Sequence, residues 1–430
     1  MNLRECRSYL ERVEVYGIKF GLDNIRAVLD DLGRPHHHFP SILVAGTNGK
    51  GSVCAMLSEI LVRSGLRTGL YTSPHLVSVE ERIRIDGRPI PVRDFCRLLM
   101  RVKASCIRLM RGGKLSAPLT YFEHLTALAF LCFREKKVDA AVLEVGMGGR
   151  FDATNVVTPL VSVITSISLD HQKFLGSTLG QIAFEKAGII KPGVPVVCGP
   201  ESGAAYLMIR KRAHESGAPF IPVFPGTSRF RARKDKSGYR FIFIGDDRTW
   251  RFKPRLAGIH QGRNAAIVLT VASVLNRTWR KLDRRAILDG IQRAEWPGRL
   301  EVYGRKPLMV LDGAHNREGT AALAAYARDF IPKPLFLVFG VMRDKDIRPM
   351  VRALFPRAKG VFVTTIPTHR AAAPEDILAE AGAFRKKIVL EPDLRQALTR
   401  ARTAARAANG SVLVAGSLFL VGEVKKAGRR

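Results

Sequence analysis

Gly46-Thr47-Asn48-Gly49-Lys50-Gly51-Ser52 stands between an apolar run, Ser41 to Ala45, and an amphipathic one, Ser52 to Ser64. The first run is short enough for a strand buried on both faces. Along the second, Val53, Met56, Leu57, Ile60 and Leu61 recur at helical spacing. A glycine-rich turn between a strand and a helix lets backbone N–H groups turn inward around phosphates, with the positive end of the helix behind them. Lys50 can neutralise phosphate oxygens there, and Ser52 can offer a hydroxyl to Mg2+. The spacing departs from the ordinary GxxxxGK[ST] pattern, because Val44 and not a glycine stands five residues before Gly49. The bland reading is a glycine turn with an exposed lysine.

Outward from this loop, short apolar runs alternate with longer amphipathic ones. Arg67 to Thr72, Ala140 to Val145 and Val161 to Ser166 read as strands, and Phe122 to Arg134 as an apolar helix. The alternation predicts a parallel sheet covered by helices on both faces. A second series follows Trp296-Pro297-Gly298-Arg299: strands at Leu308 to Leu311, Leu335 to Phe339, Gly360 to Thr365, Ile388 to Leu390 and Val412 to Ala415, with a helix over Gly319 to Phe330. The fold expected is therefore α/β. A P-loop-type ATPase domain over residues 1–296 is followed by a smaller Rossmann-like domain over 297–430. Phe230 to Phe252 reads as a β-hairpin on the first domain.

Ligands in parallel α/β sheets bind at the carboxyl ends of the strands. Glu144 closes the run Ala140 to Val145 at such an end and suits Mg2+, a hard cation that takes oxygen ligands. Gly146 to Asn155 continues as a polar loop over the same crevice. Ser168-Leu169-Asp170-His171 follows another buried run, which makes His171 a metal candidate as well as a structural histidine. Asp312-Gly313-Ala314-His315-Asn316 ends a strand of the second series, where a turn could close over a nucleotide or Asp312 could cap a helix. His36-His37-His38 has no carboxylate or cysteine nearby and reads as an exposed loop.

Composition narrows the classes. Hydrophobic residues make up 46% and charged ones 25%, which excludes disordered and fibrous chains. No apolar run reaches the ~18 residues of a membrane helix. Met1 to Glu14 lacks the apolar core of a signal peptide. A cytoplasmic protein without a membrane partner is expected. The six cysteines form no CxxC pair, and Cys54, Cys132 and Cys198 sit in apolar stretches as small buried residues. The formal net charge of +32 is spread along the chain. Its densest run, Arg229 to Lys236, holds no aromatic but Phe230, so anionic substrates are expected as partners and nucleic acid is not.

Six motifs occur in one order: the Gly46–Ser52 loop, Tyr71-Thr72-Ser73-Pro74-His75-Leu76, Glu144-Val145-Gly146-Met147-Gly148-Gly149-Arg150, Glu185-Lys186-Ala187-Gly188-Ile189-Ile190, Trp296-Pro297-Gly298-Arg299 and Asp312-Gly313-Ala314-His315-Asn316. This order resembles the folylpolyglutamate synthase/dihydrofolate synthase family, relatives of the Mur ligases. The resemblance runs from Phe20-Gly21-Leu22-Asp23 to Ala415-Gly416-Ser417. It implies an ATP-dependent ligase that adds L-glutamate to dihydropteroate and to folates through an acyl phosphate, with ATP and Mg2+ and as a monomer.

By the same resemblance, Gly46, Thr47, Asn48, Gly49, Lys50, Gly51 and Ser52 would hold ATP. Asn264, Arg299 and Asp312 would also contact it, Arg299 through phosphate and Asp312 from the ribose side. Ser52, Ser73, Glu144 and His171 would form the metal sites. Lys186 looks like the lysine that relatives carry as a carbamate, and His315 would lie near the transferred phosphate. Thr120, Phe122 and Asp152 look like a dihydropteroate pocket, with Phe122 stacked on the pterin and Asp152 accepting from its N–H groups. Alternatively Phe122 is core and Asp152 caps a turn. Gln172-Lys173 and the high basicity depart from the family. One rival is a Mur-type ligase with another acceptor, less expected because only 45 residues precede Gly46. The other is a nucleic-acid-dependent NTPase.

Overall fold

The computed structural model describes residues 2–14, 17, 21–115, 117–224, 229–245 and 248–428. Phe20, the start of the family resemblance, lies outside them. In chain order the first strands are β1 (Ser41–Ala45), β2 (Thr68–Tyr71), β3 (Ile83–Ile85), β4 (Arg88–Pro89), β5 (Ala140–Glu144), β6 (Val161–Ile164), β7 (Val196–Cys198) and β8 (Phe220–Pro222). They form one sheet in the order β4-β3-β2-β5-β1-β6-β7-β8. β2, β5, β1, β6, β7 and β8 run parallel, while β3 and β4 add an antiparallel edge.

Every residue of β1 is buried. Leu43 and Ala45 face one apolar layer with the helix Tyr121–Glu135, whereas Ile42 and Val44 face another with the helices Lys50–Arg63 and Ile259–Thr278. Strand alternation splits the side chains between two covered faces, which is why the sequence of β1 is apolar throughout. Because β2, β5, β1 and β6 are adjacent and parallel, their carboxyl ends open on one edge. That edge carries Ser73, Glu144, the Gly46–Ser52 loop and Ser166 to His171.

The segment expected as a hairpin is a three-stranded antiparallel sheet of its own: β9 (Phe230–Asp235), β10 (Gly238–Ile244) and β11 (Thr249–Phe252), ordered β11-β10-β9. Phe241, Phe243, Trp250 and Phe252 are buried in the layer shared with the helix Ile259–Thr278. The third sheet contains β12 (Glu301–Arg305), β13 (Leu308–Leu311), β14 (Leu335–Phe339), β15 (Gly360–Val363), β16 (Ile388–Leu390) and β17 (Ser411–Ala415), in the order β12-β13-β17-β14-β15-β16. Only β12 is antiparallel, with a bulge between Val302 and Gly304. The helices Arg317–Phe330 and Ile347–Leu354 cover one face, and Leu394–Ala407 with Leu418–Ala427 the other.

The two large sheets meet at side chains. Asn316 Nδ2 donates to Asn48 Oδ1 at 2.9 Å and to Asp170 Oδ2 at 3.3 Å. Lys345 Nζ lies 2.7 Å from Asp170 Oδ1. Among the described residues no helix is long and apolar enough to cross a membrane. All six cysteines are free and buried.

Candidate active site

A cleft of about 1290 Å3 opens at the carboxyl edge of the first sheet and is walled on its far side by loops of the third. Its floor is the loop after β1. Gly46 has φ 149° and Gly49 φ 88°, the region that disfavours side chains. A Cβ on Gly46 would collide with Thr165 Oγ1, and one on Gly49 would stand 2.5 Å from Asn264 Oδ1. The loop after β6 braces it. Thr47 N–H donates to the Ser166 carbonyl at 2.8 Å, Asn48 N–H to Ser166 Oγ at 2.9 Å, and Thr165 Oγ1 to the Asn48 carbonyl at 2.7 Å. The glycine turn is thus held before any ligand enters.

Two lysines converge on one acceptor. Lys50 Nζ lies 2.9 Å from the Gly46 carbonyl and Lys186 Nζ 3.0 Å from the same oxygen. Lys186 is 4% exposed. Burial, reinforced by the Lys50 charge, lowers its amine to about 7. A large neutral fraction at physiological pH follows.

Ser52 is buried and its hydroxyl accepts from Gln261 Nε2 at 3.2 Å; Gln261 in turn accepts from Asn264 Nδ2 at 2.9 Å. Glu144 is 4% exposed and accepts the Ser73 N–H at 3.1 Å. Burial pushes its carboxyl above the usual range, opposed by the Lys50 charge. Ser52, Ser73 and Glu144 offer hard oxygen donors at one strand edge. A buried carboxylate with hydroxyl oxygens beside it fits a small divalent cation whose other ligands are water and phosphate oxygens. His171 lines the same cleft; burial first, then the Lys345 charge, lowers its ring to about 4, so it is neutral at pH 7. Among the described residues no three His, Cys, Asp or Glu side chains converge as a closed metal cage.

From the second domain, Arg299, Asp312 and His315 line the cleft. Asp312 accepts the N–H groups of Leu300 and Ala314, each at 2.8 Å, and so fixes the turn that carries His315. His315 Nδ1 lies 2.8 Å from the Gly313 carbonyl, and its Nε2 3.7 Å from Asp170 Oδ2.

The cleft continues to Thr120, Phe122 and Asp152. Phe122 is half-buried, 5.7 Å from the Tyr71 ring, with the Gly146 backbone against its edge. Thr120 caps the helix Tyr121–Glu135, its hydroxyl accepting from Glu123 N–H at 3.3 Å. Asp152 accepts the N–H groups of Gly146 and Met147 on one oxygen, and the N–H and hydroxyl of Thr154 on the other. Its first duty is therefore to shape the loop after β5. A substrate N–H would have to replace one of those donors.

Several cleft residues escaped the sequence reading. Asp170 is contacted by Lys345, Asn316 and His315; burial raises its carboxyl, but His315, His171 and Lys345 hold it far below the usual range. Lys345 and Gln261 carried no motif. The position of Lys345, a few residues past the carboxyl end of β14, is the signal that could have found it. Arg82 Nε donates to His75 Nδ1 at 3.0 Å on the cleft wall; His75 stands in the motif Tyr71 to Leu76, but nothing in the sequence pairs it with Arg82.

The Mur ligase middle-domain family matches residues 44–272, and the Mur ligase glutamate ligase domain family matches 298–418. A dihydrofolate synthase/folylpolyglutamate synthase of Bacillus subtilis is 34% identical over 427 residues, covering 98% of each chain. A folylpolyglutamate synthase of Mycobacterium tuberculosis, solved with ADP and AMPPCP, superposes with a TM-score of 0.91 at 32% identity, covering 100% of this chain and 99% of that one. E. coli FolC in complex with DHPP and ADP superposes with a TM-score of 0.86 at 30% identity, covering 100% and 99%.

Proposed function

Since the chain belongs to the folylpolyglutamate synthase/dihydrofolate synthase family of Mur ligases, we propose that it joins L-glutamate to dihydropteroate and to reduced folates at the expense of ATP. The enzyme is an ATP-dependent acid–amino-acid ligase. The observation that supports this reading most is the meeting in one cleft of the β1 loop, buried Glu144 and the second-domain turn Asp312 to Asn316. A free carboxylate resists attack by an amine. Its oxygen therefore first takes the γ-phosphoryl group, giving an acyl phosphate and ADP; the neutral amine of glutamate then forms the amide and inorganic phosphate leaves.

Gly46 to Ser52 hold the nucleotide phosphates in this reading, with Lys50 neutralising charge that builds up on the moving phosphoryl group. Lys50 now satisfies itself on the carbonyls of Gly46 and Thr47, at 2.9 and 3.3 Å, and turns to phosphate when ATP binds. Asn264, Arg299 and Asp312 border the nucleotide, and His315 the transferred phosphate. Ser52, Ser73, Glu144 and His171 would hold Mg2+, which supplies electrostatic stabilisation of the phosphates. The neutral amine of Lys186 adds to CO2 and loses a proton, giving a carbamate whose negative charge balances Lys50. Phe122 offers its ring to the pterin, while Thr120 and Asp152 keep that wall in shape. The domains, 1–296 and 297–430, close to exclude water, which would hydrolyse the acyl phosphate. One chain supplies every group invoked, consistent with a monomer acting in the cytoplasm.

The acyl phosphate has a direct test. Dihydropteroate labelled with 18O in its carboxylate transfers one labelled oxygen to the phosphate released. Unlabelled phosphate, or AMP in place of ADP, contradicts the mechanism.

A further inference from the structure

The basic excess gathers where the chain order conceals it. Between Arg229 and Lys253 the sequence holds nine basic residues and three acidic ones. Read along the chain, only the run to Lys236 stands out. The register of the small sheet brings the rest alongside. Phe230 and Ala232 pair with Phe243 and Phe241 on the packed face. Strand alternation therefore turns Arg231 and Arg233 outward, together with Arg240 and Ile242 of β10 and Arg251 of β11. Arg233 lies directly across from Arg240, and Ile242 between Arg231 and Arg251. Lys253 continues the same face just beyond β11.

Like charges directly opposite on a sheet repel. Among the described residues one carboxylate on this face relieves them: Asp235 accepts from Arg240 Nε at 2.9 Å. Arg231, Arg233 and Arg251 are exposed and have no carboxylate partner among the described residues. We infer that this outer sheet face binds the phosphodiester backbone of a nucleic acid. Successive outward residues on a strand are about 7 Å apart and neighbouring strands about 4.8 Å, so the cations form a flat grid. A duplex carries one negative charge per ~1.7 Å of axis and can meet every point of such a grid. Guanidinium groups match phosphate oxygens two at a time. Among the described residues no aromatic ring stands on the outer face for bases to stack on, so the contact is to backbone and independent of sequence. This revises the expectation drawn from the Arg229 to Lys236 run, which saw the missing aromatics but not the assembled face. The surface is separate from the cleft, so glutamate ligation does not depend on it.

Fluorescence anisotropy with a labelled single-stranded RNA and a labelled duplex DNA of mixed sequence, over a KCl series, tests the inference. Three chains are compared: the unaltered protein, the variant R231Q/R233Q/R251Q, and a control R395Q/R402Q/R406Q that removes equal charge from exposed positions on the helix Leu394–Ala407. The sheet variant should bind at least tenfold more weakly. Its slope of log affinity against log salt should fall by about 2 to 3, one increment per lost phosphate contact. The control should change less than twofold, and both variants should keep full ligase activity. Preference for one polymer identifies the natural source. Equal losses in the two variants would show attraction by net charge alone and overturn the site. So would an unaltered protein that fails to bind either polymer, or one that binds polyaspartate as tightly.

Discussion

Lys50 and Lys186 compete for one carbonyl, that of Gly46, at 2.9 and 3.0 Å. Lys50→Ala should lower ligation at least 100-fold, the scale of losing one group that stabilises transition-state charge. Circular dichroism should be unchanged, because the lysine is only part-buried and packs on its own loop. A folded variant with near-normal glutamate incorporation contradicts the phosphate role. For Lys186 the sign of a pH effect follows from its amine lying near 7 when folded against 10.5 unfolded. Below pH 7 both states are protonated and the buried charge destabilises the fold. As pH rises from 7 to 10.5 the unfolded chain binds more protons, and the penalty is lifted. Lys186→Met in the nucleotide-free protein should thus raise Tm by a few degrees at pH 6, with a gain that shrinks toward pH 10. Ligation should be lost in that variant, and in the unaltered enzyme it should rise with added bicarbonate. A gain in Tm independent of pH contradicts burial of a charged amine. The strand–loop–helix that carries Lys50 and Ser52 was legible in the sequence because its glycines and flanking apolar runs are local. For Asp152 the capping of a turn through Thr154 was one of the two sequence readings; its engagement with Gly146 and Met147 was not legible, since loop conformation that spacing does not encode fixes those donors.

At the scale of elements, β1, β14 and β17 are each five residues, buried throughout and bounded by glycine or polar turns, and such runs announce themselves. β3, β4, β7 and β8 are two or three residues long and show no period to read. The segment read as a hairpin holds three strands: β9 turns into β10 at Lys236-Ser237, and β11 pairs with the other edge of β10. The strand-to-helix junction gives the sharpest test. Gly49 stands at φ 88° with Asn264 Oδ1 2.5 Å from where a Cβ would be. Gly49→Ala should cost about 1–3 kcal/mol of stability in a denaturant titration. It should also raise the KM for ATP more than tenfold, because the loop and Asn264 shift together. An unchanged KM would show that the loop does not cradle the nucleotide.

Across the whole molecule, the two domains meet at Asp170. Its side chain and that of Lys345 are only 8% and 9% exposed. The pair spans 175 positions, and nothing local in the sequence marks it. Removing one partner of a buried pair strands the other charge, at about 3–5 kcal/mol. Lys345→Met should therefore loosen the closed arrangement, seen as a larger radius of gyration in small-angle scattering without nucleotide. Asp170→Asn combined with Lys345→Met should cost less than the two single changes added together; strict additivity contradicts the latch. In the proposed reaction this closing cleft couples ATP cleavage to glutamate ligation on two acceptors. Its most direct test is mass spectrometry of products formed from ATP, L-glutamate and either dihydropteroate or tetrahydrofolate, with phosphate release followed in parallel. One glutamyl addition per phosphate is expected on both acceptors, and none without ATP. Phosphate release without a glutamylated product, or release driven only by a UDP-muramyl peptide or by nucleic acid, contradicts it.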